Sequence, residues 1–295
     1  MIQRFFISAI ALFALIFTSC DTEHTTYSGP SYVMFADSMT VLPVQNNDEV
    51  FDIAVVATQT SDKDRRFGIE VIESKSNAIE HRHYVLEDYN VVIPAGERVG
   101  YLKVRGIKDN ISVGDSLGIT IQIICDEQQA WDIYGVESHI ILQKACPMDM
   151  NIFTGYAVLT SSYLKTYAYN MQRLVKSYID PNDPNSIIIS DCFYDDFDVK
   201  VRLSNDDILS PIVKFEDQVA ASTVEAFGTL YGDGNIHIRE TSTASYYSTC
   251  EGFLVMYFNM YVSGMPESSN QVGTFVNIFE WISDAEAEEI LRNGL

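Results

Sequence analysis

The strongest constraint on the fold is a repeated pattern of short apolar runs separated by turn-forming residues. Residues 67–73 alternate apolar and polar side chains at period two, as a strand with one buried face does. Clusters of Asp, Asn, Ser, Gly and Pro bound this run and others like it. This pattern predicts strands joined by tight turns, and therefore an all-β fold.

The first half of the chain is predicted to be an antiparallel sandwich, because seven or eight such runs occur within some 115 residues. The predicted strands cover residues 32–35, 40–44, 50–56, 67–73, 90–93, 99–104, 117–124 and 139–142. Residues 94–97, Pro-Ala-Gly-Glu, have turn chemistry that predicts a hairpin between the runs on either side. Pro147 resists continuation of the last strand, which places a junction at residues 144–149.

The second half is predicted to be a β-meander that forms either a lipocalin-like barrel or a second sandwich. Its predicted strands cover residues 154–159, 166–176, 186–193, 197–203, 211–215, 224–230, 235–239, 252–262 and 273–282. Only residues 284–292 have a helical composition. Residues 151–283 hold 21 aromatic residues, against 10 in residues 20–150. The two halves therefore differ in how densely they carry rings.

The first 20 residues predict export and a lipid anchor. Arg4 precedes an apolar run from Phe5 to Phe17, which is too short for a membrane-spanning helix and is typical of a cleaved signal peptide. Small residues before Cys20 resemble the bacterial lipobox, in which the cysteine is acylated and becomes the mature N-terminus. An ordinary signal peptide with an incidental Cys20 is the alternative. The acidic residues after Cys20 resemble the surface-export signals of Bacteroidota-type lipoproteins.

These observations predict four segments. Residues 1–19 are a lipoprotein signal peptide, 20–28 a tether, 29–145 an immunoglobulin-like β-sandwich and 146–295 an aromatic-rich β-meander, either barrel or sandwich. The predicted location is the cell envelope, as an outer-membrane lipoprotein exposed at the surface.

Residues 77–84, 92–97 and 108–109 together resemble the Calx-β type of immunoglobulin-like sandwich. They are also similar to the N-terminal sandwich of uncharacterised Bacteroidota lipoproteins that are encoded near glycan-uptake systems. The diffuse pattern of the second half resembles the C-terminal β-domain of the same lipoproteins. Calx-β domains can bind calcium, and Asp109 matches the acidic end of that pattern, although Asn110 replaces the usual second acid. The resemblance implies a spacer sandwich and a binding domain.

The charge of the chain limits the classes of molecule that it can bind, and its cysteines limit the possible disulfide bonds. A net charge of −22 without a Lys/Arg cluster disfavours nucleic acid, and the lipid on Cys20 is the predicted link to the membrane. Export permits disulfides, and Cys125, Cys146, Cys192 and Cys250 allow three pairings. Buried free thiols are favoured, with Cys192–Cys250 as the most plausible bridge.

Catalytic and cofactor signatures are missing from the sequence. There is no G-x-S-x-G elbow and no phosphate-binding glycine loop, so no cofactor and no enzymatic activity are predicted. Asp191, Asp195, Asp196 and Asp198 are too clustered for the two carboxylates of a glycosidase and read as a solvated hairpin end. No metal site is predicted; Asp109, Asp195 and Asp196 are weak candidates.

Tyrosines provide the main candidates for ligand contact, because a flat apolar ring with a polar tip suits stacking on sugars. Packing in the core is the alternative for each of them. The candidates are Tyr163, Tyr167, Tyr169, Tyr246, Tyr247, Tyr257 and Tyr261. The leading hypothesis is a non-catalytic, lipid-anchored protein that binds a glycan or glycoprotein. A structural or adhesive component that docks other outer-membrane proteins is the second hypothesis, and a β-sandwich hydrolase is the third.

Overall fold

The computed structural model describes residues 27–131, 133–168 and 170–295. Cys20 and the predicted signal peptide lie outside the described residues, as does Tyr169. The described chain is all-β, with an immunoglobulin-like sandwich followed by an antiparallel barrel. None of the helices in this part of the chain has the length and apolar character that crossing a membrane requires.

The sandwich consists of nine strands in two sheets. They are β1 (Val33–Phe35), β2 (Met39–Val44), β3 (Val50–Ala57), β4 (Arg65–Val71), β5 (Tyr84–Leu86), β6 (Asn90–Ile93), β7 (Val99–Gly106), β8 (Leu117–Ile124) and β9 (Glu137–Lys144). One sheet has the order β1-β3-β7-β5 and the other β2-β9-β8-β4-β6. The inward side chains of both sheets share one hydrophobic core. All pairings are antiparallel except β2 with β9, and Pro43 is tolerated because β2 is an edge strand.

The turn at residues 94–97 does not join a hairpin, which corrects the sequence prediction. The amide of Glu97 donates to the carbonyl of Pro94 at 3.0 Å, so the turn itself forms. However, β6 pairs with β4 in one sheet, whereas β7 pairs with β3 and β5 in the other. Turn chemistry fixes the reversal of the chain but does not determine which sheet the next strand joins.

The barrel consists of ten strands that occupy eight positions. They are β10 (Gly155–Ser161), β11 (Gln172–Asp180), β12 (Asp183–Ser190), β13 (Val199–Ser204), β14 (Ile212–Lys214), β15 (Gln218–Ser222), β16 (Asn235–Glu240), β17 (Ser245–Ser248), β18 (Phe253–Val262) and β19 (Gln271–Trp281). β10 to β14 pair in chain order, and β19 pairs with both β18 and β10, which closes the sheet. The meander prediction is thus confirmed as a barrel.

Two positions of the barrel are each shared by two short strands. β17 pairs with the first part of β18, and β16 pairs with the last part. In the same way β14 pairs with β17, and β15 pairs with β16. The chain bends at residues 215–217, between β14 and β15, so β15 does not form a backbone ladder with β13. The side-chain amide of Gln218 bridges this gap, because it accepts from the amide of Lys200 and donates to its carbonyl, both at 2.8 Å.

The barrel interior is filled rather than hollow. Alternate residues of β18, including Met256, Phe258 and Met260, are fully buried and point inward. Phe193 packs edge-to-face on Phe258 at 5.6 Å, and Phe279 lies in the same core. Side chains therefore occupy the space that a lipocalin would reserve for a ligand.

A disulfide joins Cys146 to Cys250, with the Cα atoms 5.3 Å apart. The expected Cys192–Cys250 bridge is therefore wrong. Cys192 is a buried free thiol whose pKa burial raises, and Cys125 is a half-buried free thiol. The bond fastens the segment before β10 to the β17–β18 turn, at the end of the barrel where the chain arrives from β9.

The described residues also form three α-helices: α1 (Ser162–Tyr167), α2 (Thr223–Phe227) and α3 (Asp284–Asn293). α3 matches the helical prediction. The strands predicted at 166–176 and 224–230 begin or lie in α1 and α2 instead. Capping residues explain both errors: the Ser161 hydroxyl accepts from the amides of Tyr163 and Leu164, and Gly228 ends α2 in the left-handed region.

Candidate functional site

Four connections gather at one end of the barrel, here called the distal end. They are the α1 loop, the loop at residues 191–198, the α2 loop and the β18–β19 turn. Because the strands alternate in direction, the Cys146–Cys250 disulfide and the start of β10 lie at the opposite end. Whatever the distal end carries therefore points away from the segment that connects the barrel to the sandwich.

An exposed row of aromatic rings crosses the distal end. Tyr167 of α1 contacts Phe227 of α2 at 5.4 Å between centroids, and Phe227 contacts Tyr231 at 6.1 Å. Tyr167 is 38% exposed, Tyr231 46%, and the neighbouring Leu230 67%. We call Tyr167, Phe227, Leu230 and Tyr231 the rim patch. The planes of Tyr167 and Phe227 meet at 69° and those of Phe227 and Tyr231 at 70°, so each ring contacts the next edge to face.

α1 is held in place from inside the barrel. The buried Ser161 hydroxyl donates to the Asn277 side chain at 2.6 Å while it caps the helix. Tyr163 and Tyr167 are four residues apart and share one face of the helix. Tyr163 is fully buried against Phe193 and Phe275, and its ring lies 5.2 Å from that of Tyr167. The exposed ring thus rests on a packed aromatic base.

The α2 loop is held by side-chain hydroxyls that accept from its backbone amides and by one close contact with the backbone of the β18–β19 turn. The Thr223 hydroxyl accepts from the amide of Tyr231 at 3.1 Å, and the Ser222 hydroxyl caps the helix. Gly232 has a φ of 54°, and a Cβ there would lie 2.0 Å from the carbonyl oxygen of Ser263. Only glycine allows this close approach between the loop and the β18–β19 turn. The rings of the rim patch are consequently preorganised.

The predicted tyrosines do not form one site. Tyr163 and Tyr247 are buried in the core, so the alternative of core packing describes them, and both are corrected as ligand candidates. Burial raises the pKa of Tyr163, and it raises that of Tyr247 to about 12. Of the six candidates that the structure describes, Tyr167 lies in the rim patch. Tyr246 is exposed at the other end of the barrel, beside the disulfide.

Tyr257 and Tyr261 face outward from the wall of the barrel on β18. The Tyr261 hydroxyl donates to Asp217 at 2.7 Å, and the guanidinium of Arg239 lies 4.7 Å from its ring centre. Nδ1 of His237 is 2.7 Å from the other oxygen of Asp217. Burial, the bond to Asp217 and its charge raise the pKa of Tyr261 to about 12. Asp217 and Arg239 occupy the hydroxyl and one face of the Tyr261 ring, so little of this ring is available to a ligand.

A polar cleft lies next to this group, where the chain bends between β14 and β15. Its volume is about 580 Å³, and Phe215 contributes the ring among otherwise polar walls. The lining residues are Asp183, Ser186, Lys200, Arg202, Lys214, Phe215, Glu216, Asp217, Gln218 and Glu240. Arg202 pairs with Asp183 at 2.6 Å and Lys200 with Asp180 at 2.5 Å, so two of its three cations are neutralised.

The three weak metal candidates form hydrogen bonds or ion pairs within the protein. Asp109 accepts from the side chain of Asn47 at 2.7 Å, and Asp195 pairs with Arg173. Asp196 lies in the left-handed region and donates its amide to Asp191 at 2.7 Å. Among residues 27–131, 133–168 and 170–295, no three His, Cys, Asp or Glu side chains are grouped as a metal would need.

Sequence reasoning missed Phe227, Leu230 and Tyr231. These residues are in a connection marked by Gly228, Gly232 and Gly234, where aromatic side chains cannot be explained by strand packing. That signal was available in the sequence. The sequence does not show that they lie close to Tyr167, some 60 residues earlier, because closure of the barrel creates this proximity.

The fold and the rim patch define an all-β protein with a sandwich, a filled barrel and an aromatic surface at the distal end. The chain belongs to the family described as Domain of unknown function (DUF4984), whose model matches residues 133–293, more than half of the chain. No curated protein matches it.

Several solved structures resemble the chain at low identity. A protein of unknown function from Bacteroides ovatus is 10% identical, with a TM-score of 0.36 over 84% of this chain and 89% of that one. An auxiliary nutrient binding protein from Bacteroides thetaiotaomicron is 11% identical, with a TM-score of 0.31 over 83% and 89%. The calcium binding domain CBD12 of CALX1.1 is 10% identical, with a TM-score of 0.33 over 59% and 82%. Likenesses this distant carry no functional conclusion for this chain.

Proposed function

We propose that this protein is a non-catalytic, lipid-anchored binding protein of the cell envelope, and that the rim patch binds a glycan. The observation that carries the proposal is the row formed by Tyr167, Phe227 and Tyr231 at the distal end of the barrel. The filled interior supports a surface site, because it leaves no lumen for a ligand.

The chemistry of the rim patch suits a sugar. Aromatic rings stack on the apolar faces of pyranoses, and the tyrosine hydroxyls can hydrogen-bond to their edges. α1 and α2 also carry the exposed Lys165 and Glu225, which supply polar groups near the rings. Because capped helices and a glycine contact fix the loops, little conformational entropy is lost when a ligand binds.

The N-terminal segment and the sandwich suit a role in holding the rim patch away from the membrane. Acylation of Cys20 would attach the chain to the outer membrane, and the sandwich would act as a spacer. The barrel receives the chain at its disulfide end, so the rim patch faces away from that attachment. Labelling with a clickable palmitate analogue, lost in Cys20→Ala, tests the anchor.

Docking of an outer-membrane protein is the second candidate function, because apolar side chains flank the rings. Leu230 is 67% exposed and Val224 51%. A protein partner would depend on these aliphatic groups, whereas a glycan would depend on the rings. Leu230→Ser should therefore weaken protein docking more than glycan binding.

A glycan array followed by isothermal titration of the full chain tests the proposal. Tyr231→Ala should weaken binding about tenfold, because burying a large apolar side chain contributes about 1.5–3 kcal/mol. Tyr178→Ala is the matched control, since Tyr178 is 44% exposed on β11, outside the rim patch. Absence of any retained glycan, or equal loss in both variants, would contradict the proposal.

A further inference from the structure

The sandwich carries a second aromatic surface, on the loop between β8 and β9. Ile133 is 76% exposed and Tyr134 64%. Trp131 stacks on Tyr32 at 5.4 Å between centroids, and Tyr134 meets Trp131 edge-to-face at 4.8 Å. We call Tyr32, Trp131, Ile133 and Tyr134 the loop patch. Its apolar groups lie on the surface instead of in the sandwich core.

The loop patch is joined to the start of the described chain. The amide of Val33 donates to the carbonyl of Gln129 at 2.8 Å, and Val33 also bridges to Ala130. Within the loop, the amide of Gly135 donates to the carbonyl of Trp131 at 2.7 Å. The aromatic groups are thus held against the segment that enters β1.

Topology places the loop patch at the end of the sandwich that is remote from the barrel. The loop precedes β9, and the other end of β9 leads to Cys146 and the barrel. Tyr27 is seven residues after Cys20, so an extended chain between them spans at most about 25 Å. A lipid on Cys20 would hold this end of the sandwich close to the membrane.

We propose that the loop patch docks onto the surface of the membrane in which Cys20 is anchored, and this rests on the lipid anchor of the proposed function. Trp and Tyr are enriched at membrane interfaces, where an amphipathic ring lies at the headgroup level. Ile133 provides an apolar side chain that can enter the acyl boundary. Attachment in cis raises the local concentration of lipid, so a small surface is sufficient.

Charge on the same loop selects the type of lipid. Asp126 and Glu127 are exposed beside the loop patch. Carboxylates are repelled by an anionic surface, so the preferred surface is zwitterionic, such as phosphatidylcholine. Vesicles that contain anionic lipid should bind the loop patch less well.

The two tryptophans of the chain allow a direct test. In the lipidated full chain, Trp281→Phe leaves Trp131 as the sole emitter. Reconstituted into phosphatidylcholine vesicles with brominated acyl chains, Trp131 should lose most of its emission. The double change Ile133→Ser and Tyr134→Ser should remove the quenching, whereas Tyr101→Ser, at a 55% exposed tyrosine of β7, should not. If Trp281→Phe folds poorly, comparison of the wild type with Trp131→Phe gives the same answer.

The outcomes separate the docking from the anchor. Flotation with vesicles but no quenching of Trp131 would overturn the docking while the anchor stands. Failure of the wild type to float, with Cys20→Ala unchanged from it, would overturn both. A change in Trp131 emission caused by soluble glycan instead of lipid would assign the loop patch to a sugar and also overturn the docking.

Discussion

The rim patch and the loop patch use the same residue types but are built differently. In the barrel, Tyr167 rests on the buried ring of Tyr163, and capped helical turns hold the loops. In the sandwich, Trp131 lies on a long connection, stacks on Tyr32 and meets the exposed ring of Tyr134 edge to face. A surface that must match the shape of a ligand benefits from rigid support. A surface that inserts into a fluid interface does not need it.

The barrel and the sandwich also differ in whether their sheets have free edges and in whether a disulfide fastens them. The barrel has no long free edge and is fastened by Cys146–Cys250, whereas the sandwich has edge strands and no disulfide among its described residues.

Removal of the disulfide should destabilise the barrel selectively. Cys146→Ser with Cys250→Ser frees a loop of 104 residues, for which chain entropy predicts a loss of about 4–5 kcal/mol. Denaturant unfolding followed by fluorescence can separate the halves, because Trp281 packs on the barrel core and Trp131 lies in the sandwich. Cys125→Ser is the control. Equal shifts of both transitions would argue against separate stabilities.

Ser161→Ala should disturb the rim patch from within. It removes the cap of α1 and leaves the buried Asn277 side chain without its donor, so we expect a loss of about 2–3 kcal/mol. Glycan binding should weaken as well, because α1 carries Tyr167. Ser162→Ala, one residue later, gives a comparison on the same helix. Unchanged unfolding of Ser161→Ala would mean that the hydroxyl is not needed.

Gly232→Ala should reduce glycan binding without changing any ring. The added Cβ would meet the carbonyl oxygen of Ser263 at 2.0 Å, and the strained φ adds a cost of about 1–3 kcal/mol. The loop that carries Tyr231 must shift as a result. Gly228→Ala is the informative comparison, since its φ is also positive but no atom lies within 4 Å of the added Cβ. Equal effects of the two changes would attribute the loss to φ alone.

Acid should weaken the barrel through Asp180. Hydrogen bonds from Lys200 and Asn182 lower the pKa of this carboxyl below its ordinary value of 3.8. A lowered folded-state pKa contributes stability above the ordinary value, which is lost as the pH falls through the folded pKa. Asp180→Asn should therefore flatten the dependence of stability on pH below 4.

The sequence predicted the fold class and most strands because period-two runs and turn residues are local signals. The same local logic failed where the outcome depends on distant parts of the chain. The turn at residues 94–97 crosses between sheets, and Cys250 meets Cys146 rather than Cys192. Neither choice is encoded near those residues. They follow from the packing of two sheets and the closure of the barrel.

The candidate site shows the same limit. Tyr167 lies in the segment predicted to be a strand, residues 166–176, whereas the Ser161 cap makes Tyr163 and Tyr167 neighbours on a helix. Tyr167 was a predicted candidate, whereas Phe227 lies in a segment predicted to be a strand, residues 224–230, and Tyr231 directly follows that segment. Residue type therefore indicated the chemistry, and only the three-dimensional arrangement indicated which rings act together.

The most direct test of the account is a paired measurement of glycan and lipid binding in two variants of the full, lipidated chain. One variant combines Tyr167→Ala with Tyr231→Ala in the rim patch, and the other combines Ile133→Ser with Tyr134→Ser in the loop patch. We expect the rim variant to lose glycan binding but to keep quenching of Trp131 by brominated lipid, and the loop variant to do the reverse. Loss of glycan binding in the loop variant, with the rim variant unaffected, would contradict it.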